Sequence, residues 1–398
     1  MRYTWAEVDL EAIAANLRAL GERARSGSPG RPGGPQLMAV VKADAYGHGA
    51  LEVARAALAA GASWLAVAIV EEGVALRQAG FEAPILVLGF VPPEQAGLVV
   101  EHGLRTALYQ ADLAAALSRE AVRRGKPARV HVKVDTGMGR LGLAPSEVIR
   151  FIRVARSLPG LEVEGLFTHF ATADSPDKSY AREQASRLGE IVSELNARGM
   201  RPLLVHAANS AAAIDLPEYA FDLVRLGIAM YGLNPAGVPV PSPGGFTLHP
   251  ALNWKARFSH VKVLPPGSCV SYGCTYRTSR TTPIGTLPVG YADGFSRRWS
   301  NRGEVLVRGA RVPVVGRVCM DPFMVDLSPV WREGDPVRVG EEAVLLGNQG
   351  AETISAEAWG EALDTINYEV VCLISARVPR VYRRGGEVLE VDAGGGRG

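Results

Sequence analysis

The chain has 398 residues, enough for two domains, and 47% of them are apolar, enough to bury large cores. Charged residues make up 21% and the net charge is +2, which argues against a polyanion-binding surface and hence a nucleic-acid partner. The four cysteines, Cys269, Cys274, Cys319 and Cys372, form no C-x-x-C pair, so neither a zinc site nor a disulfide framework is expected and no metal is predicted. Residues 1–10 lack the apolar stretch of a signal peptide, and no apolar run is long enough to span a bilayer. A soluble, cytoplasmic protein with no membrane partner is expected.

Residues 3–10 alternate weakly and predict a strand. A helix is predicted over 11–25, with Ile13, Leu17 and Leu20 on one face. Ser26–Pro35 is rich in Gly, Pro and Ser and reads as a loop. A regular alternation follows. Strand-like runs at Leu37–Lys42, Trp64–Ile69, Ile85–Gly89, Leu104–Leu108, Arg129–Asp135, Gly165–His169, Leu203–Ala207 and Leu223–Gly227 are separated by helical patterns such as Glu71–Ala79, Ala111–Arg124, Ser146–Ser157 and Lys178–Arg198. Eight β-then-α steps match a (β/α)8 TIM-like barrel. A doubly wound open sheet ranks lower, because polar candidates recur at many strand ends rather than at one switch point.

Asn234–Gly245 is a linker by composition. Beyond it the segments Ala256–Leu264, Thr282–Pro288, Glu304–Val307, Val312–Val315 and Glu342–Leu346 are short, β-rich and separated by Gly/Pro turns. The expected organisation is an α/β barrel over 11–240 and a mostly β C-terminal domain over 246–390, which the strand of residues 1–10 joins. The last residues, from Asp392, are expected to fray.

Several strings carry candidate chemistry. Val40-Val41-Lys42-Ala43-Asp44-Ala45-Tyr46-Gly47-His48-Gly49 places Lys42 at the end of the first barrel strand, where a barrel enzyme would put a reactive amine. Lys133-Val134-Asp135-Thr136-Gly137-Met138-Gly139-Arg140 closes the fifth strand, and Thr168-His169 the sixth. Alternation alone leaves open which face Lys133 takes. Asn209-Ser210 follows the seventh and opens a helix, whose free N–H groups suit an anion or an ordinary N-cap. Arg225-Leu226-Gly227-Ile228 ends the eighth, and Ser271-Tyr272-Gly273, Tyr291-Ala292-Asp293-Gly294 and Cys319-Met320-Asp321 lie in the second domain.

Together these strings resemble, over nearly the whole chain, the alanine racemases, fold-type III enzymes that use pyridoxal 5′-phosphate (PLP). The resemblance implies L-/D-alanine interconversion for bacterial peptidoglycan in a head-to-tail homodimer with shared active sites. It implies that Lys42 is the Schiff-base lysine and the base on one face, and that Tyr272 of the partner subunit serves the other. Tyr46, Asn209, Ser210, Gly227 and Ile228 would hold the phosphate end, His169 would stack on the pyridine ring, and Arg225 would face its nitrogen. Arg140 would hold substrate carboxylate or the cofactor's phenolic oxygen, and the Met320 N–H would bind substrate carboxylate. Lys133 matches a lysine that is often carbamylated in the family. A racemase of broader specificity, acting on serine, is the alternative. A non-catalytic PLP-binding barrel would lack the second domain, and the basic amino acid decarboxylases place different strings around the cofactor. One departure stands out: where the family reads Ile-Ser-Tyr-Arg-Val-Pro-Arg, this chain has Ala376. The lost tyrosine is expected to remove a phosphate donor and widen the mouth, and Tyr368, in the preceding string, is not expected to replace it.

Overall fold

The computed structural model describes residues 2–27, 33–237 and 246–392. Residues 28–32 of the predicted Ser26–Pro35 loop, residues 238–245 of the linker and the tail beyond Asp392 lie outside these residues. The first strand, β1 (Thr4–Asp9), runs directly into helix α1 (Leu10–Ser26). Asp9 caps α1 by accepting the N–H groups of Glu11 at 2.8 Å and Ala12 at 3.1 Å. Ile13, Leu17 and Leu20 are fully buried, as their spacing predicts.

Eight parallel strands follow: β2 (Gln36–Val40), β3 (Trp64–Val67), β4 (Ile85–Val87), β5 (Arg105–Leu108), β6 (Ala128–Lys133), β7 (Leu161–Phe167), β8 (Leu204–His206) and β9 (Leu223–Leu226). Seven adjacent pairs run in sequence order from β8 back to β2 and on to β9. The N–H groups of Asp222 and Arg225 bond the carbonyls of Val205 and Ala208, at 2.8 and 3.0 Å, and draw the two ends into a nearly closed barrel. Helices on the outside and side chains in the interior cover both faces, which is why the strands read as continuous Val/Leu/Ala runs.

The C-terminal half is built from β10 (Leu252–Arg257), β11 (His260–Leu264), β12 (Cys269–Val270), β13 (Tyr276–Arg277), β14 (Thr282–Leu287), β15 (Glu304–Val307), β16 (Ala310–Val315), β17 (Phe323–Asp326), β18 (Glu342–Gln349), β19 (Glu352–Ile354), β20 (Arg380–Arg384) and β21 (Glu387–Asp392). All but β12 and β13 share one 11-stranded sheet with β1, which lies antiparallel to β10 and parallel to β20. The run 256–264, expected as one strand, is two, because the chain breaks at Phe258 and Ser259 between β10 and β11. Among the described residues no helix is long and apolar enough to cross a membrane.

Candidate active site

A cavity of about 400 Å³ opens at the C-terminal ends of the barrel strands, the end at which barrel enzymes carry their chemistry. Its wall includes Lys42, Tyr46, Lys133, Arg140, His169, Asn209, Ser210, Arg225, Gly227 and Ile228. Ten of the twelve side chains or loops singled out from sequence therefore converge on one space.

Lys42 begins the turn that follows the first barrel strand, where non-glycine residues would ordinarily keep a negative φ. Ala43, Asp44, Ala45 and Tyr46 instead have φ of 51°, 51°, 53° and 54°, four consecutive residues in left-handed conformation. Each costs roughly 1–2 kcal/mol against the right-handed form. The turn is held from several sides. Glu72 accepts the N–H of Ala43 at 2.6 Å and of Ala68 at 2.7 Å, Asp44 accepts that of Ala50 at 2.7 Å, and Arg380 donates to the Gly47 carbonyl at 3.0 Å. The turn buries Tyr46 against Tyr231, with ring centroids 4.9 Å apart. Burial, and then the charge of Arg140, pushes the Lys42 ammonium below its ordinary value.

Lys133 takes the inner face of β6 and is buried, its ammonium 5.0 Å from the centre of the Phe167 ring. Burial, followed by the charges of Arg225 and Arg140, lowers it to about 8. The loop leading to Arg140 is shaped by Asp135, whose Oδ1 accepts the N–H groups of Gly137, Met138 and Gly139 at 3.0, 2.8 and 3.1 Å.

Arg225 is almost fully buried and donates to four acceptors: His206 Nδ1 at 3.0 Å, the Thr168 carbonyl at 3.0 Å, the Ala207 carbonyl at 2.8 Å and His169 Nδ1 at 3.1 Å. Burial and Arg140 lower its guanidinium to about 9, which leaves it charged at neutral pH. Burial, then the Arg225 charge, pushes His169 well below its ordinary value, so its imidazole is neutral and its Nδ1 is the acceptor.

At the opposite end Asn209 caps the helix Ser210–Asp215 by accepting the Ala212 N–H at 3.0 Å. Ser210 Oγ accepts the N–H groups of Gly227 at 2.9 Å and Ala229 at 3.3 Å. A Cβ on Gly227 would lie 2.8 Å from the Tyr46 hydroxyl, so glycine is required for the close approach.

The structure does not bring Tyr272 or Met320 into this cavity. They are 73% and 53% exposed, on one surface of the C-terminal half with Tyr291. That surface is knitted by Ser271 Oγ donating to the Arg317 carbonyl at 2.6 Å and by the Tyr291 N–H donating to the Cys319 carbonyl at 3.1 Å.

One expectation is corrected. Tyr368 lines the cavity, its ring 6.3 Å from that of Tyr46, whereas Ala376 is exposed in a turn and lines no part of it. The Tyr368 hydroxyl reaches the Pro235 carbonyl at 3.3 Å. The short helix Asn367–Cys372 packs against the Lys42 turn and carries Tyr368 there, a long-range contact that local pattern does not reveal. Its signal was an aromatic residue at the start of a half-buried helical turn. Glu72 and Glu164 were also passed over, since isolated acidic residues in barrel segments carry no local signature.

The family description "Alanine racemase, N-terminal domain" matches residues 8–235, and "Alanine racemase, C-terminal domain" matches 251–382. The alanine racemase of Symbiobacterium thermophilum is 55% identical over 97% of this chain and 98% of its own. That of Halothermothrix orenii is 46% identical over 96% and 97%. The crystal structure of alanine racemase from Bacillus anthracis with bound L-Ala-P superposes with a TM-score of 0.89 at 41% identity, covering 98% of this chain and 97% of that one. A histidine racemase from Leuconostoc mesenteroides superposes at 0.86 with 29% identity, covering 96% and 98%. On two matched domains, full-length identity and a shared fold, the chain belongs to the alanine racemase family, a family of isomerases.

Proposed function

We propose that the protein interconverts L- and D-alanine with PLP held in the barrel mouth, supplying D-alanine for peptidoglycan in the cytoplasm. The observation that carries the reading is the pairing, across one cavity, of a lysine with a depressed ammonium and a buried arginine. The residues fit the cofactor. Gly227 leaves a hollow that a Cβ would fill, the N–H groups of Gly227 and Ala229 gather at Ser210 Oγ, and Tyr46 and Tyr368 line the same cavity. Burial pushes both phenols above their ordinary value, so each stays a proton donor to an anion.

When bound, PLP supplies the electron sink that makes an amino acid's Cα proton removable. Lys42 would hold the cofactor and would take or return that proton on one face. Arg225, which stays charged, would disfavour proton binding at the cofactor's pyridine nitrogen and so moderate the sink. His169 would pack against the ring, and Arg140 would hold the substrate carboxylate by charge-assisted hydrogen bonds. The other face belongs to Tyr272 of the partner subunit, with the Met320 N–H at the carboxylate. A homodimer is thus required, built from a barrel over 11–240 and a C-terminal domain over 246–390.

Acceptance of serine or other small amino acids is the second reading, since a histidine racemase shares this fold. Purified protein should be coloured and should form D-alanine from L-alanine faster than it forms the D-enantiomer of any other amino acid in a panel. Borohydride should fix the cofactor on Lys42. A colourless protein, or reduced cofactor mapped to another lysine, would sink the assignment.

A further inference from the structure

Behind Arg225, away from the cavity, the barrel interior holds a buried chain of polar groups with no part in the reading above. His206 Nε2 lies 2.8 Å from His131 Nδ1, and His131 Nε2 lies 3.3 Å from Glu164 Oε2. Arg105 pairs with the same carboxylate at 3.2 Å. Both imidazoles are fully buried. The sheet is built for this contact: His131 is on β6 and His206 on β8, and between them β7 presents Gly165, where a Cβ would come within 2.3 Å of His131 Nδ1. Phe167 stacks on His206 at 4.7 Å, and the edge of Trp64 meets His131 at 5.4 Å.

Donor chemistry gives the chain one direction. Arg225 can only donate, so His206 Nδ1 accepts and its proton sits on Nε2. That proton is donated to His131 Nδ1, which places the His131 proton on Nε2, facing Glu164. An ionised carboxylate can only accept, so the far end enforces the same order. Burial pushes both histidines below their ordinary value and so keeps them neutral. Burial alone would raise Glu164, but the bond from His131 and the charge of Arg105 bring it below its ordinary value and keep it ionised.

We propose that Glu164 is a positioning residue which, through His131 and His206, holds the Arg225 guanidinium aimed at the cofactor's ring nitrogen. The proposal rests on the cofactor reading for its consequence but not for its geometry. With the acceptor at His206 Nδ1 kept in place, Arg225 cannot rotate away from His169. With the Glu164 carboxylate holding the His131 proton on Nε2, the order of the chain is set without any group entering the cavity. A carboxylate behind an imidazole of this kind is worth about tenfold or more in activity where histidines hold a metal.

Two measurements on the full-length, cofactor-loaded enzyme test this. Nitrogen NMR of 15N-histidine-labelled protein, assigned with His131→Gln and His206→Gln, should show both imidazoles neutral and protonated on Nε2. A charged ring, or a proton on either Nδ1, overturns the chain. Kinetically, Glu164→Gln keeps the acceptor and removes the charge. It should lower kcat by about tenfold with KM changed by less than about twofold, while Glu164→Asp should recover most of the loss. Glu164→Gln at wild-type kcat, or Asp no better than Gln, overturns the positioning role. Should the wild-type protein prove colourless and inactive, the cofactor reading falls, and the tautomers alone decide whether the chain exists.

Discussion

Gly227 and Tyr46 meet so closely that a single added carbon at Gly227 would stand 2.8 Å from the Tyr46 hydroxyl oxygen. The contact joins the last barrel strand to the left-handed turn after the first, at the place proposed for the phosphate. Gly227→Ala should therefore weaken cofactor binding through overpacking, by about 1–3 kcal/mol. The nearest ring carbon of Tyr46 is at 3.5 Å, so removing the hydroxyl relieves the clash. Alanine at 227 should cost less in a Tyr46→Phe background than alone. Cofactor titrations of the four proteins check this, and additive losses would show that the two positions do not touch.

The corrected placement of Tyr368 reverses an expectation about Ala376. Ala376 is exposed and away from the cavity, so Ala376→Tyr should leave cofactor affinity unchanged. Tyr368→Phe should weaken it by about 1.5–3 kcal/mol, the usual worth of a hydrogen bond to a charged group. Equilibrium dialysis of both variants against free PLP decides between the positions.

Lys133 should take up CO2 as a carbamate, in which the neutral amine forms an N–C bond and releases one proton. Burial, with the Arg225 and Arg140 charges, lowers its ammonium from 10.5 to about 8. The neutral fraction is therefore small at pH 7 and becomes the majority above about 8, well before an exposed lysine titrates. At fixed dissolved CO2 the carbamate should rise through that window. The same arginines that disfavour the ammonium favour the anion. A 13C carbamate resonance, formed from labelled CO2 and absent in Lys133→Ala, measures it. A carbamate that increases as pH falls would contradict the sign.

The barrel was legible because its strands are buried on both faces and read as apolar runs, and all eight appear where expected. Their ends were less legible, for physical reasons. The run Leu37–Lys42 stops being strand at Val40, since the next residues enter a left-handed turn that no propensity favours and that Glu72 and Arg380 hold from a distance. Strand β7 starts at Leu161, four residues before the predicted Gly165, because Glu162 and Glu164 look like solvent-facing residues. Glu164 in fact pairs with His131 and Arg105 inside the barrel. Lys42, His169 and Arg225 were found through strings that match a family. Tyr368 was missed because its place depends on a helix docking onto the Lys42 turn from the other half of the chain.

Each active site should be shared between two chains. Lys42, His169 and Arg225 face one cavity at the barrel mouth, while Tyr272 stands 73% exposed on the C-terminal half and does not line that cavity. The loop that carries it holds Ser271, Gly273 and Cys274 at φ of 66°, 74° and 47°, a conformation disfavoured for two of the three residues and spent on projecting the tyrosine outward. A two-fold dimer that seats this projection in the partner's barrel mouth makes two equivalent composite sites. Lys42→Ala and Tyr272→Phe chains, each inactive alone, distinguish this from a site within one chain. When subunits exchange, a mixed dimer has one site with both lesions and one with neither. With random pairing about half the dimers are mixed, so about a quarter of wild-type activity should return. Were Tyr272 to act in its own chain, every site would keep one lesion and mixing would restore nothing. Recovery of the mixed species through a tag on one chain shows that exchange took place, and an inactive mixed dimer would refute the shared site.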